Sequence, residues 1–275
     1  MSILLNGDCL ELMKDLDDNS VDLIFTDLPY GQVSCEWDIK IDFAQMWEQF
    51  MRIKKEKTPI FFCCSTKFGA EIIHSAPKKC PFRYDIVWVK SAPCGFLCAK
   101  KMPMKKHEML YVFYEKLPFY DLSSHQHKFK KEVGTIAGDN VYSKPELYRA
   151  PAGQYQPPLP VSVVKEGGTY KHLYGEIKDM DYHHLKSKMG NPVYEPPLPN
   201  SILEIKSQRG KHSTQKPTDL MKWVLKYYSK EGDVVLDPTM GSGSTGVACK
   251  EMNRNFIGME MNPEIYEVAV SRIEE

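Results

Sequence analysis

Apolar positions along this 275-residue chain fall into two kinds of run, and their alternation sets the fold class. Short continuous runs bounded by turn residues read as strands, several of them apolar on both faces. They are Ile3-Leu4-Leu5, Val21-Asp22-Leu23-Ile24-Phe25, Pro59 to Cys64, Tyr84 to Val89, Glu108 to Tyr114, Val234-Val235-Leu236 and Asn255 to Met259. Other stretches carry the helical period. Phe43, Met46, Trp47, Phe50 and Met51 recur at i, i+3, i+4, i+7 and i+8, and Leu220, Trp223, Val224, Tyr227 and Tyr228 form a second stripe. Shorter helices are expected over Leu10 to Leu16, over Lys67 to Ser75, and up to about Met252. A last helix follows Asn262-Pro263, a good N-cap and first-turn pair. Strands alternating with helices predict an α/β fold with its sheet covered on both sides.

The pattern breaks near Leu117 and returns at His212. Between them lie Pro157-Pro158-Leu159-Pro160, Gly167-Gly168, Tyr182-His183-His184 and Pro196-Pro197-Leu198-Pro199, with no long helical stripe. A structureless loop of that length inside a compact domain is improbable, so the chain divides into 1–116, an inserted subdomain 117–211, and 212–275. Charge sharpens the division. The formal net charge is zero, which argues against a chain that coats nucleic acid indiscriminately, yet Lys116 to Lys216 holds 15 basic and 10 acidic residues against 21 and 26 elsewhere. Basic residues interleaved with aromatics suit a surface that reads nucleic acid. A dimerisation or capping lobe is the competing reading.

No run of about 18 apolar residues exists and the N-terminus lacks a signal-peptide pattern, so a cytoplasmic protein without a membrane partner is expected. The eight cysteines include no CxxC pair and several sit in apolar runs, so reduced thiols are expected. Cys80, Cys94 and Cys98 do not match a zinc spacing, and no metal is expected.

Two stretches carry chemistry. The first, Thr26-Asp27-Leu28-Pro29-Tyr30-Gly31, follows a strand. It suits a site that grips a flat heteroaromatic amine, whose lone pair must be localised by accepting hydrogen bonds from both N–H groups. Asp27 accepts one. The Leu28 carbonyl accepts the other, because Pro29 biases Leu28 towards extended geometry and brings no N–H of its own. Tyr30 stacks on the base. Alone, the stretch also reads as an ordinary turn. The second, Asp237-Pro238-Thr239-Met240-Gly241-Ser242-Gly243-Ser244-Thr245-Gly246, lies between a strand and a helix, with Glu260 at the tip of the following strand. That is the grammar of a nucleotide site. Asp237 places negative charge where a dinucleotide's pyrophosphate would lie and so opposes a dehydrogenase. A carboxylate there suits a cationic ligand such as S-adenosylmethionine.

Together with His212-Ser-Thr-Gln-Lys-Pro217, and in this order, the two stretches resemble the beta-class DNA amino-methyltransferases of restriction-modification, orphan or phage type. The likeness spans nearly the whole chain outside the insert. It implies a Rossmann-like S-adenosylmethionine-dependent fold: a seven-stranded, mostly parallel sheet with one antiparallel strand, the chain ends meeting side by side. By motif position, Gly241, Ser242 and Gly243 pass beneath the methionine part of the cofactor, with Asp237 near its amino group and Thr239 and Thr245 in the same loop. Glu260 holds the ribose, Asp8 reaches the adenine ring, and Lys216 helps close the cofactor pocket. Asp27, Leu28, Pro29 and Tyr30 hold the target base.

The sequence departs from the family at two positions. Thr239 replaces a common aromatic, so stacking on the cofactor is lost or supplied by Tyr30 or Phe25, and Leu28 replaces a common proline. Cytosine-N4 enzymes usually carry Ser where this chain has Asp27, so the resemblance implies N6 methylation of a flipped-out adenine in double-stranded DNA. Cytosine-N4 methylation and an inactive DNA-binding scaffold are the alternatives. A homodimer and a cognate restriction endonuclease are the further partners compatible with the resemblance.

Overall fold

The computed structural model describes residues 1–30, 40–128, 164–166, 169–172, 175–177, 193–208 and 215–275. They form two compact units, Met1–Leu122 with Pro199–Glu275, and Ser123–Leu198. In chain order the strands are β1 (Ser2–Asn6), β2 (Leu23–Thr26), β3 (Ile60–Cys64), β4 (Phe82–Cys94), β5 (Lys105–Phe113), β6 (Gln126–Lys128), β7 (Val164–Glu166), β8 (Thr169–His172), β9 (Gly175–Ile177), β10 (Val193–Glu195), β11 (Ile202–Glu204), β12 (Val234–Asp237) and β13 (Asn255–Glu260). The α-helices are α1 (Cys9–Leu12), α2 (Phe43–Ile53), α3 (Thr66–Ser75), α4 (Thr218–Tyr228), α5 (Ser244–Glu251) and α6 (Pro263–Glu274).

The first unit is built on a sheet ordered β1-β13-β12-β2-β3-β5-β4-β11. Only β5 runs antiparallel to its neighbours. β11 makes the sheet eight-stranded rather than seven-stranded. It pairs Ile202 to Glu204 with Val87 to Val89 at the edge, and three residues are too few to show a period. The chain ends do meet side by side: β1 pairs with β13, and the Met1 ammonium donates to Asn255 Oδ1 at 3.1 Å.

Side-chain alternation fills both faces of this sheet. Leu23, Phe25, Phe61, Cys63 and Val235 join a core with α4, α5 and α6 through Leu220, Val224, Ala248, Ala269 and Ile273. Ile24, Ile60, Phe62, Cys64 and Leu236 join the opposite core with α2 and α3 through Met46, Trp47, Phe50, Phe68 and Ile72. Helix starts follow the capping chemistry. Asp42 accepts from Ala44 N at 2.8 Å and Gln45 N at 3.1 Å, and Asn262 accepts from Glu264 N at 2.9 Å and Ile265 N at 3.1 Å. The helix expected over Leu10 to Leu16 is shorter, α1 followed by a 3₁₀ turn at Met13–Asp15. A Cβ on Gly246 would meet Ile273 Cδ1 at 2.4 Å and Phe256 Cε1 at 2.7 Å, so glycine lets α5 lie against both α6 and β13.

The units divide at 122/123 and 198/199, inside the 117–211 boundaries that the sequence pattern suggests. Asp121 N donates to Tyr227 O at 2.8 Å and β11 belongs to the large sheet, which holds both flanks in the first unit. In the second unit β6 and β10 form an antiparallel pair, β7, β8 and β9 form a three-stranded antiparallel sheet, and His125 Nδ1 lies 2.8 Å from Pro196 O. Pro157–Pro160 and Tyr182–His184 lie outside the described residues. Among the described residues no helix is long and apolar enough to cross a membrane, and no three His, Cys, Asp or Glu side chains converge as a metal site.

Candidate active site

Because β1, β2, β12 and β13 run parallel, their carboxyl ends open on one edge of the sheet, where α/β proteins bind ligands. Each delivers a carboxylate there. Asp237 and Glu260 end β12 and β13, and Asp27 and Asp8 follow β2 and β1 by one and two residues. β5, running the other way, brings Glu108 from its amino-terminal half. All five line one cavity of about 1240 Å³. A single small-molecule site spans roughly 300–1000 Å³, so there is room for two ligands together. The two loops touch directly, Thr26 Oγ1 lying 3.0 Å from Thr239 Oγ1.

On the Asp27 side both carboxylate oxygens are engaged. Tyr30 Oη donates to Oδ1 at 3.0 Å, and Lys216 Nζ makes a short ion pair with Oδ2. Burial and the neighbouring Asp27 charge push the Tyr30 hydroxyl far up, so it remains a donor. Its ring packs on Phe68, centroids 4.7 Å apart. Burial works against the Lys216 ammonium, but Asp27, Cys63 and Glu108 together outweigh it and hold the ammonium well above its usual range. Lys216 therefore joins the two halves of the cavity, its ammonium on Asp27 and its carbonyl accepting from Ser244 Oγ of the glycine loop at 2.8 Å. Its second neighbour is Glu108 Oε2 at 3.5 Å, and Lys90 Nζ bonds Glu108 Oε1 at 2.5 Å. Burial opposes the Glu108 charge, yet Lys216 and Lys90 together hold it below the usual carboxylate range. Among the described residues, the two buried side-chain oxygens without a hydrogen bond are Glu108 Oε2 and Gln215 Oε1, both on residues lining this cavity. Such orphans mark where a ligand completes the pairing.

On the other side, Asp237 is 4% exposed. Burial raises its carboxyl to about 7 despite the Thr245 hydroxyl on Oδ2 at 2.6 Å and the Thr239 N–H on Oδ1 at 3.2 Å. Glu260 is aimed by Gly241 N, which donates to Oε2 at 3.1 Å, and Asn262 N, which donates to Oε1 at 2.9 Å. Gly241 takes φ +52° with nothing within 4 Å of an added Cβ, so its backbone is open to a ligand. Ser242 accepts from Arg272 Nη1 at 2.9 Å. Gly243 is not among the lining residues. It precedes α5 at φ +80°, and a Cβ there would meet Ile273 and Ala269, so it serves the turn and its packing. Asp8 lines the cavity while its Oδ1 caps α1 through Leu10 N at 2.8 Å. Pro29, Leu28 and Thr239 line it too. Of the His212–Pro217 motif, 212–214 lie outside the described residues.

Sequence reasoning misses Glu108, Lys90 and Gln215. A charged residue at the head of an apolar run reads as a solvated strand end, and no local period shows that Glu108 meets a lysine 108 positions later.

Residues 21–271 match the family model for DNA methylases of the N6/N4 type. The chain belongs to the DNA methylases. This methylase is 28% identical to the type II methyltransferase M.HindIII of Haemophilus influenzae (strain ATCC 51907 / DSM 11121 / KW20 / Rd) over 98% of its own length and 94% of the relative's. It is 25% identical to the DNA adenine methyltransferase YhdJ of Escherichia coli (strain K12), covering 98% and 82%. The methylase shares its fold with M1.HpyAVI, solved as a SAM complex, at TM-score 0.57 and 22% identity, covering 99% of this chain and all of that one.

Proposed function

We propose that the chain transfers a methyl group from S-adenosylmethionine to the N6 amine of an adenine flipped out of double-stranded DNA. The observation that carries this reading is the single cavity lined by both Asp27 and the Asp237 to Thr245 loop. The residues fit the cofactor. Gly241 leaves the backbone open, Glu260 is oriented for hydroxyl groups, and the buried Asp237 suits an ammonium. S-adenosylmethionine supplies a methyl on a cationic sulfur.

The chain's own residues then position the amine, which the duplex hides until the base leaves the stack. The Leu28 carbonyl accepts one amine N–H and Asp27 the other, while Tyr30 Oη fixes the carboxylate from behind. For Asp27 Oδ2 to receive an amine, Lys216 must release it, and Glu108 Oε2, already in an ion pair with Lys216 at 3.5 Å but without a hydrogen bond, is the acceptor within reach. Positive charge developing on the amine lies beside Asp27, so the gain is positioning and electrostatics. Target recognition falls to 117–211.

Asp27 favours adenine, and the likeness to YhdJ, a DNA adenine methyltransferase, supports it. Cytosine-N4 methylation is the second reading, since the matching family model covers both amines. Genomic DNA from a methylation-free host expressing the chain, digested to nucleosides, should contain N6-methyladenine. N4-methylcytosine alone would favour the second reading, and neither product would overturn both.

Asp237 makes cofactor binding pH-dependent. Its folded value exceeds the unfolded one, so the free protein binds an extra proton up to about pH 7 and loses stability as pH rises through that window. A cationic ligand needs the charged form. Affinity for S-adenosylmethionine should therefore rise by up to about tenfold from about pH 6 to about pH 8 and release a proton, and Asp237→Asn should flatten the profile. Calorimetry in two buffers of different ionisation enthalpy measures both quantities.

A further inference from the structure

The β4–β5 hairpin continues past the sheet into a tip the mechanism above does not use. Its stalk forms part of the cavity wall through Lys90, Ala92, Pro93 and Cys94. Beyond Cys94, Gly95 turns the chain at φ +90° and a 3₁₀ turn follows, closed by Cys98 N to Gly95 O at 3.0 Å and Lys101 N to Cys98 O at 2.8 Å. This defined turn displays large apolar side chains to solvent: Phe96 is 82% exposed, Leu97 97% and Met102 59%. From Lys90 to His107 there are five lysines and no acidic residue.

Exposed apolar residues ringed by lysines and free of carboxylates suit a polyanion whose interior is apolar. Duplex DNA is one: phosphates outside, stacked bases within. Proteins that open a base step insert Phe, Leu or Met as a wedge and hold the phosphates with Lys or Arg. The position fits as well, since Phe96 is two residues from cavity-lining Cys94, a reach of at most about 7 Å along the chain.

We infer that the tip of the β4–β5 hairpin is a DNA-opening wedge. Phe96 and Leu97 fill the gap left by the extruded base, and Lys100, Lys101, Lys105 and Lys106 grip the flanking phosphates. The inference rests on the methylation reading, so its test uses the site mapped by sequencing modified bases with the unaltered protein. Phe96→Ala/Leu97→Ala is compared with that protein on a matched duplex and on a duplex with an abasic site opposite the target. The matched duplex should lose on the order of tenfold or more in kcat/KM, because the unstacking cost is no longer offset. The abasic-opposed duplex should lose less than about twofold, and 2-aminopurine at the target should lose its flipping fluorescence only in the matched duplex. S-adenosylmethionine should stabilise the variant as it does the unaltered protein. Changing the four lysines to Gln should flatten the plot of log affinity for sonicated genomic DNA against log salt, by about 0.9 for each phosphate no longer neutralised. Equal losses on both duplexes, an unchanged salt slope, or a changed sedimentation coefficient of the free variant, which would mark a seam between two copies, each overturn the wedge. Absence of any modified base with the unaltered protein would instead overturn the methylation reading.

Discussion

Asp27→Ala should lose methyl transfer by on the order of 10²- to 10³-fold or more, the scale of removing one pre-positioned group aimed at a developing charge. Cofactor binding should survive. Asp237, Gly241 and Glu260 belong to the opposite half of the cavity and are held by Thr245, Thr239 and Asn262, none of which bonds Asp27. A hundredfold excess of S-adenosylmethionine over its Kd should therefore still stabilise the variant by about 2.7 kcal/mol. Asp27→Asn, which keeps one acceptor oxygen, should be less damaging. Substantial single-turnover activity in Asp27→Ala would remove Asp27 from the chemistry.

Glu108→Gln should cost both stability and rate. Glu108 is the acidic neighbour of two ammonium groups, Lys90 and Lys216, each with a side chain only 14% exposed. Breaking a buried pair by removing one partner typically costs about 3–5 kcal/mol, and the partial exposure here places the expected loss nearer the lower end. The rate effect has a separate cause. Without a carboxylate at 108, Lys216 stays on Asp27 Oδ2, and the target amine must displace it unaided. Single-turnover methyl transfer should fall on the order of tenfold while cofactor affinity is unchanged. Adding Lys216→Met to Glu108→Gln should restore part of the rate, since the obstructing ammonium is gone. A double variant no faster than Glu108→Gln would show that Lys216 does not compete for Asp27.

Strands buried on both faces announce themselves, and β2, β3, β12 and β13 are legible because uninterrupted apolar runs end in turn residues. With them come Asp27 and the glycine loop, which are defined by where a strand stops. The local pattern ends β4 near Val89, but the strand reaches Cys94, because hairpin partners extend it past Ala92-Pro93, where the sequence signals a break. Lys216 is legible as a cavity residue, but its ion pair with Asp27 is not, since a motif gives proximity to a cavity and not the pairing inside it. Gly243 shows the same limit. Both glycines look equivalent in a Gly-x-Gly repeat, and only packing against α6 separates the one that lines the cavity from the one that supports it.

Strand order also constrains how the polypeptide acquires its structure on the ribosome. β2, buried along its whole length, takes one neighbour from β3 and the other from β12, more than two hundred residues later. Until β12 leaves the exit tunnel, β2 presents an unpaired apolar edge, the kind of surface that sticks to other nascent chains. Pairings of such long sequence separation also form slowly. Chaperone occupancy during translation should therefore persist until β12 has emerged, and catalytic competence should appear only after that point.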